Sequence, residues 1–533
     1  MKEQSTTKGF AILSAAGMLT KVLSILYVPL LMAIIGDVGY GIYGASYQIY
    51  AFVFVLTNSG IPVAISKLIS ELTATGNYKD AARGFKIARA VLVLVGIFMS
   101  VMLIVFALPL ARLTDRRAYL SLVSLSPAIL FTSVSSSYRG YFQGRGNMTP
   151  TAVSQVIEQT LNIIFSIAFA AYLIRYGVEA GTAGSTIGTS IGALASAAFL
   201  MFCYNNNRSF RDKNNLNEHK RRFTSKQLLR KIINYGIPIT ICVGMTYAGN
   251  IVDVINTTSR LVVGGFTKDG AMILYGYLNK YQQLMNVPIA IISSLTMAIL
   301  PAISAAAVVR DENKVKHSIN YSFRLCFLIS IPCAAGLAIL SGPIFNLLKF
   351  RGGAYIMACG SIVLVLMSVM QIQTTILQGI GKLYSATIYS VIGIACKIGI
   401  NYILIAIPRI NILGAVGGSI IGYLVPIILN HRMIKKSLSI HISMLGHAVK
   451  PVISSIFMGI LVFFVYYVLD ILIQLIRPGY IANAVSTIIA ILIGALSYVF
   501  ILAIIGGITK RDLNSMPARL TRCIPKFIVS KIR

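Results

Sequence analysis

The chain has 533 residues, 56% of them hydrophobic and only 12% charged, with a mean hydropathy of +0.79. A soluble chain carries about twice that charge, so a soluble globular fold is excluded. A net charge of +32 matches a nucleic-acid binder in size, but the Lys and Arg residues lie between runs that belong in a bilayer, and topology accounts for them.

Apolar runs of about 20 residues cross roughly 30 Å of hydrocarbon as helix. Backbone groups in lipid must bond internally, which leaves helices as the spanning form here. The expectation is therefore an all-α polytopic membrane protein. Helices are read at 9–35, 43–69, 88–111, 119–142, 150–174 and 181–204, then at 232–258, 271–303, 318–342, 355–379, 383–407, 412–434, 451–474 and 482–506. That makes fourteen transmembrane helices. The first run, Gly9 to Ile35, is too long for a signal-peptide core and lacks an A-x-A exit, so it reads as the first span.

Between the sixth and seventh runs lies a basic linker, residues 205–231. It holds Arg208, Arg211, Lys213, Lys220, Arg221, Arg222, Lys226, Arg230 and Lys231 against Asp212 and Glu218 alone. With the N-terminus inside, this linker joins Lys79, Arg83, Lys86, Arg89, Arg139, Arg145, Arg310, Lys314, Lys316, Lys382, Arg432, Lys435, Lys436 and Lys450 on the cytoplasmic side. The outer segments hold fewer, among them Arg112, Arg116, Arg117, Arg175, Arg260 and Lys268. The bias predicts that both termini are cytoplasmic. The tail, 507–533, places Leu513, Met516, Leu520, Ile524 and Phe527 at helical spacing among basic residues and is expected to lie on anionic inner-leaflet lipids.

The two halves repeat. Tyr40–Gly41 recurs as Tyr275–Gly276, "QGRG" at Gln143–Gly146 as "QGIG" at Gln378–Gly381, and "GSTIG" at Gly184–Gly188 as "GSIIG" at Gly418–Gly422. Gly17–Met18 recurs as Gly244–Met245. Four matches in the same order point to an internal duplication. Six helices return the chain to the side it left, so the repeats are parallel, an arrangement used for alternating access. The expected organisation is an N-lobe at 9–204, the linker, a C-lobe at 232–434, and two extra helices at 451–506 outside the repeat.

Polar residues inside these helices are costly and so face a cavity or a partner. Helix 5 carries Gln155, Glu158, Gln159, Asn162 and Ser166 on one face; helix 7 carries Thr246, Asn250, Asp253 and Thr257. Helix 8 carries Asn279, Gln282, Gln283 and Asn286 with Lys280 beside them, helix 10 carries Gln371, Thr374, Thr375 and Gln378, and helix 1 carries Ser14, Lys21 and Ser24. Each stripe alone also suits helix–helix packing, through small and polar residues that bond across an interface. Together they predict a hydrated cavity lined by Lys21, Lys280, Gln155, Glu158, Gln159, Asn162, Asn250, Gln282 and Gln283. Lys21 lies about 12 residues into its helix, roughly 18 Å along it. Lys397 is at similar depth in helix 11, aligns with Asn162 in the first repeat, and is expected to pair with Asp253. Lys67, Arg324 and Asp470 lie near helix ends, where charged side chains snorkel.

The cysteines have no metal-ligand spacing and read as small buried apolar residues. The histidines fall in polar loops. No P-loop, zinc motif, nucleophile elbow or paired-acid motif is present, so neither enzyme activity nor a cofactor is expected.

The count of six, six and two helices, the stretch Gly41–Glu71 and the repeated QGxG resemble the MOP exporter superfamily. Within it the chain is similar to the polysaccharide-transporter branch, the stage V sporulation protein B-like group related to the lipid II flippases. The resemblance implies two six-helix lobes around a cavity that opens to alternate sides of a bacterial cytoplasmic membrane. It implies a polyprenyl-pyrophosphate-linked saccharide as cargo, such as lipid II or another wall or spore-wall precursor, and cell-wall synthesis enzymes as partners. It further implies pyrophosphate held by cavity cations, with Lys21 where those flippases carry a basic residue, and a tail groove formed by the last two helices. In some relatives a sodium ion lies between helices 7, 11 and 12; here Lys397 faces that role with Asp253, and an internal ammonium is expected to replace the ion. Two other functions stay open: a cation-coupled multidrug antiporter, supported by Glu158, and a non-transporting scaffold for wall enzymes.

Overall fold

The computed structural model describes residues 6–206, 223–308, 312–438, 444–476 and 479–507. The core of the basic linker, Arg310 and the tail after Gly507 lie outside the described residues, as do the readings made for them.

Among the described residues every regular element is helical. The longer helices are α1 Thr6–Asn58, α2 Gly60–Ala74, α3 Tyr78–Thr114, α4 Tyr119–Gly144, α5 Thr149–Leu173, α6 Val178–Asn206, α7 Ser225–Val263 and α8 Lys268–Val308. They continue as α9 Glu312–Ile339, α10 Ser341–Leu347, α11 Ala354–Gly360, α12 Ile362–Gly379, α13 Leu383–Leu404, α14 Leu413–Leu438, α15 Val449–Ile476 and α16 Tyr480–Ile504. Among the described residues, twelve segments are long and apolar enough to cross a membrane. The first, Ala15–Ala74, contains Gly36 at φ 70°, a conformation open to glycine, where α1 changes direction. Counting its two arms separately and adding the 41-residue α8 restores the fourteen crossings. The chain is thus an all-helical, polytopic membrane protein.

Local chemistry explains several boundaries. Asn77 caps α3 by accepting from the Asp80 amide, and this starts α3 ten residues before the apolar run. Lys79, Arg83, Lys86 and Arg89 therefore ride on helix rather than loop. Thr224 and Gln227 form a reciprocal capping box at the start of α7. The predicted helix at 318–342 continues past a break at Leu340 into α10, and the one at 355–379 is interrupted at Ser361.

The chain forms two compact units. The first comprises 1–279 with 405–411, and the boundary falls inside α8, between Asn279 and Lys280. Here α6 presents Gly184, Gly188 and Gly192, each four residues apart, to α5. A Cβ on these would overlap the Phe169 carbonyl, Asn162 with Ser166, and the Glu158 carbonyl respectively. Such small-residue contact suits lipid, where apolar burial drives little association and backbone proximity must serve instead. An apolar core of Leu68, Phe85, Tyr138, Phe142 and Ile232 joins α2, α3, α4 and α7. Gly41 of α1 lies against the Met272 carbonyl of α8, and Gly60 of α2 against the Gly236 carbonyl of α7.

The second unit comprises 280–404 and 412–533. Gly418 and Gly422 of α14 lie against Asn401 and Lys397 of α13. This reproduces the approach of Gly184 and Gly188 to α5, so the repeated GSxIG motif does the same packing work in each repeat. Phe323, Ile372, Ile376 and Ile434 form a core that joins α9, α12 and α14. Met458, Val462, Ala490 and Tyr498 hold α15 and α16 together. On α15, Phe457, Val468 and Leu472 are exposed, the composition of a lipid-facing surface.

Candidate functional site

The polar stripe of α5 is anchored to three neighbours. Glu158 accepts from Arg139 Nη2 of α4 at 2.6 Å, and the same guanidinium donates to Ser154 Oγ at 3.0 Å and to Ser196 Oγ of α6 at 2.9 Å. Gln159 Nε2 donates to Ser24 Oγ of α1 at 3.1 Å. Asn162 Oδ1 accepts from Ser166 at 2.9 Å and from Thr189 of α6 at 3.3 Å. Gln155 is half-buried on the same helix. These residues tie helices together as well as presenting polar atoms.

Lys21 of α1 is exposed, as are Met18, Leu19 and Val22 around it. Ser24 follows it by three residues and so shares its face, which puts Lys21 on the edge that meets Gln159. In α7, Asn250 is exposed while Asp253 is buried with Asn256 and Thr257 below it.

The second unit holds Lys280, Gln282, Gln283 and Lys397. Lys280 has no exposed surface. Its Nζ donates to the Arg351 carbonyl at 3.2 Å and lies 5.6 Å from the centroid of the Phe350 ring. The receiving loop turns sharply at Gly352 and Gly353, both at positive φ, and so aims its carbonyl at the lysine. Gln282 and Gln283 are half-buried. The stem of Lys397 lies over Gly422. On α12, Gln371 Nε2 donates to Ser293 Oγ of α8 at 2.8 Å.

Three features were missed by the sequence reading. The first is Arg139, which reads as a cytoplasmic end residue but turns inward to Glu158. The unmatched carboxyl on helix 5 was itself the signal, because a buried charge needs a partner. The second is an aromatic ladder along the second arm of α1: Tyr40, Tyr43, Tyr47, Tyr50 and Phe54, with successive ring centroids 5.4–6.0 Å apart. Their i, i+3, i+4 spacing was visible in the sequence. The third is a cavity of about 950 Å³ lined by Phe327, Ala334 and Ala338 of α9, Val365 of α12, Ile427 of α14, Phe463 of α15 and their neighbours. Its lining is almost wholly apolar, with Ser361 and Ser455 as the hydroxyls. Of the last two helices, α15 supplies lining residues and α16 none.

Of the residues expected at helix ends, Lys67 lies 4.0 Å from the Tyr235 ring centroid, Arg324 Nη2 donates to the Gly507 carbonyl at 2.9 Å, and Asp470 accepts from Gln474. No group of three or more His, Cys, Asp or Glu capable of holding a metal is found among the described residues.

With this geometry in hand, the chain was compared with known proteins. The family model described as polysaccharide biosynthesis protein matches residues 6–307. Stage V sporulation protein B of Bacillus subtilis is 26% identical over 456 residues, covering 84% of this chain and 87% of that one. The lipid II flippase MurJ of the same organism is 25% identical over 526 residues, covering 92% and 94%. Among solved structures, a lipid II flippase MurJ in an inward closed conformation aligns with a TM-score of 0.66 at 17% identity, covering 95% of this chain and all of that one (100%). An inward-facing multidrug resistance MATE family transporter of the MOP superfamily aligns at 0.65 and 16%, covering 79% and 95%. The structural likenesses establish the fold; of the relatives, MurJ is named a lipid II flippase and the MATE protein a multidrug resistance transporter.

Proposed function

From the premise that this chain belongs to the polysaccharide biosynthesis protein family, we propose that it moves a polyprenyl-pyrophosphate-linked saccharide across the cytoplasmic membrane by alternating access. Membrane transport is the coarser statement, common to its relatives. The cargo rests on one observation above all: the apolar cavity of about 950 Å³ beside α15. A small cationic drug has no use for so long an apolar surface, whereas a polyprenyl tail must remain in a hydrocarbon-like environment while its head crosses.

In this reading Lys21 meets the pyrophosphate first, because it is exposed while Lys280 is enclosed. Lys280 joins only after its ammonium leaves the Arg351 carbonyl. Gln155, Gln159, Asn162, Asn250, Gln282 and Gln283 supply hydrogen bonds to the sugar, and the Tyr43 and Tyr47 rings offer faces for it to stack on. Asp253 and Lys397 act as an internal charge pair in place of a coupling ion. The lobes run from 9–204 and 232–434, the termini are cytoplasmic, and anionic lipids and wall-synthesis enzymes are the partners.

The multidrug antiporter reading needs a carboxylate free for a cation. Glu158, its best candidate, is held by Arg139 at 2.6 Å, which weakens that reading. A scaffold without transport predicts that cavity variants complement a deletion fully.

The deciding experiment is flipping of a fluorescent or protease-sensitive lipid II analogue in vesicles reconstituted with the purified chain. Lys21→Ala is expected to slow it by about tenfold or more, the loss of one charge-assisted contact of roughly 1.5–3 kcal/mol. Wild-type rates in Lys21→Ala and in Lys21→Ala/Lys280→Ala sink the cationic head site. Mass spectrometry of lipid-linked intermediates in a depletion strain identifies the sugar.

A further inference from the structure

The turn between α15 and α16 carries a second site. A cleft of about 300 Å³ is lined there by Asn346, Tyr466, Asp470, Gln474, Tyr480 and Asn483 with Gly479. Tyr466, Asp470 and Gln474 recur every four residues, so α15 presents them on one face. Asp470 Oδ2 accepts from Gln474 Nε2 at 2.6 Å, while Asp470 Oδ1 is buried and has no hydrogen-bond partner. A carboxylate oxygen removed from water calls for a donor.

Among the described residues, three of the surrounding polar groups are committed elsewhere. Tyr466 Oη donates to Asn483 Oδ1 at 2.9 Å, Asn483 Nδ2 donates to the Pro343 carbonyl at 3.1 Å, and Tyr480 Oη donates to the Leu347 carbonyl at 2.9 Å. These bonds tie the walls of the cleft to one another and to the Ser341–Leu347 helix, and Asp470 lines the cleft with Oδ1 unpartnered beneath its surface. A cation lies at the Tyr480 wall: Lys349 Nζ is 4.7 Å from the Tyr480 ring centroid, and Tyr480 lines the cleft. The cleft thus has a carboxylate in its lining and an ammonium against one of its walls.

Its setting names the ligand class. Leu472, Leu475 and Ile476 are exposed at 51%, 80% and 82%, as an acyl-facing surface would be. Tyr480, the first residue of α16, is exposed at the helix end, where amphipathic rings mark the headgroup level. We propose that this cleft binds a zwitterionic phospholipid through a primary ammonium headgroup, with the ammonium on Asp470 and the phosphate on Lys349. The ammonium is primary because Asp470 Oδ1 needs an N–H donor, and the walls are hydrogen-bonding groups rather than the aromatic cage a quaternary ammonium prefers. An anionic headgroup is disfavoured by Asp470 itself. With the termini inside, as the Lys and Arg bias expects, the lipid belongs to the outer leaflet. The proposal does not depend on the cargo.

Native mass spectrometry of the full chain in detergent tests it, using short-chain phosphatidylethanolamine, phosphatidylcholine and phosphatidylglycerol. Phosphatidylethanolamine is expected to bind about tenfold or more tightly than the other two, and Asp470→Asn, of unchanged size and charge-free, to abolish the preference. Lys349→Gln should weaken the same lipid. Equal binding of the three lipids to the wild-type chain overturns the proposal without any variant. Retained preference in a folded Asp470→Asn overturns it too, as does stabilisation by sodium alone that vanishes in Asp470→Asn while phosphatidylethanolamine has no effect.

Discussion

Gly41 and Gly276, equivalent positions of the internal repeat, meet backbone to backbone: a methyl group on Gly276 would stand 3.5 Å from the Gly41 nitrogen. Gly41 also lies against the Met272 carbonyl, with no room for a side chain. Gly41→Val is expected to part α1 from α8 and expose Tyr40, now 1% exposed. Labelling of Tyr40→Cys by a membrane-impermeant maleimide should rise several-fold in the Gly41→Val background. Unchanged labelling would show that this contact does not close the surface around Tyr40.

Arg139 and Glu158 form a pair with 16% and 27% side-chain exposure. Arg139→Gln leaves Glu158 without its cation and is expected to destabilise by on the order of 3 kcal/mol. Arg139→Gln/Glu158→Gln should recover more than half of that, because the orphaned charge is gone. Thermal unfolding of the purified single and double variants measures the coupling; additive losses would mean the pair contributes nothing beyond its separate residues.

Gly459 of α15 and Ile339 of α9 both line the apolar cavity and lie so close that a Cβ on Gly459 would press on Ile339. Ala338→Phe fills the cavity from the α9 side. It is expected to cut flipping of a long-chain polyprenyl substrate about tenfold while leaving a short-chain analogue nearly unaffected, since the lost contact is with the tail. Equal slowing of both substrates would point to a folding defect instead.

His447 lies outside the spanning segments, with Nε2 3.4 Å from Asn320 Oδ1. Burial, then the charge of Arg324, pushes its pKa below the ordinary imidazole value. The folded state therefore binds this proton less readily than the unfolded chain does. Stability from this site is full above about pH 6.5, the unfolded value, and falls as pH drops through it. Melting temperature should decrease more between pH 7.5 and 5.5 for the wild-type chain than for His447→Gln; parallel curves would remove His447 from the acid response.

Much of the architecture was legible in the residues. Hydropathy and run length decide membrane insertion locally, which is why the fourteen crossings and the repeat could be read directly. Helix limits were less accessible. Asn77 extends α3 through a single side-chain cap, and Ser361 interrupts a continuous apolar run without any change of composition.

The sequence by itself determined the all-helical membrane class and the family, because these follow from composition and from order along the chain. Tertiary structure decided what each charged residue does. Lys21 and Lys280 look alike as lysines inside apolar helices, yet one is exposed and the other is enclosed against the Arg351 carbonyl. Arg139 and Arg145 look alike at the end of one helix, yet Arg139 turns to the Glu158 carboxylate of α5 while Arg145 lies over the Tyr78 and Tyr141 rings. Periodicity assigns a residue to a face, but which face of which helix it meets depends on contacts between residues far apart in the chain, and those are settled by packing.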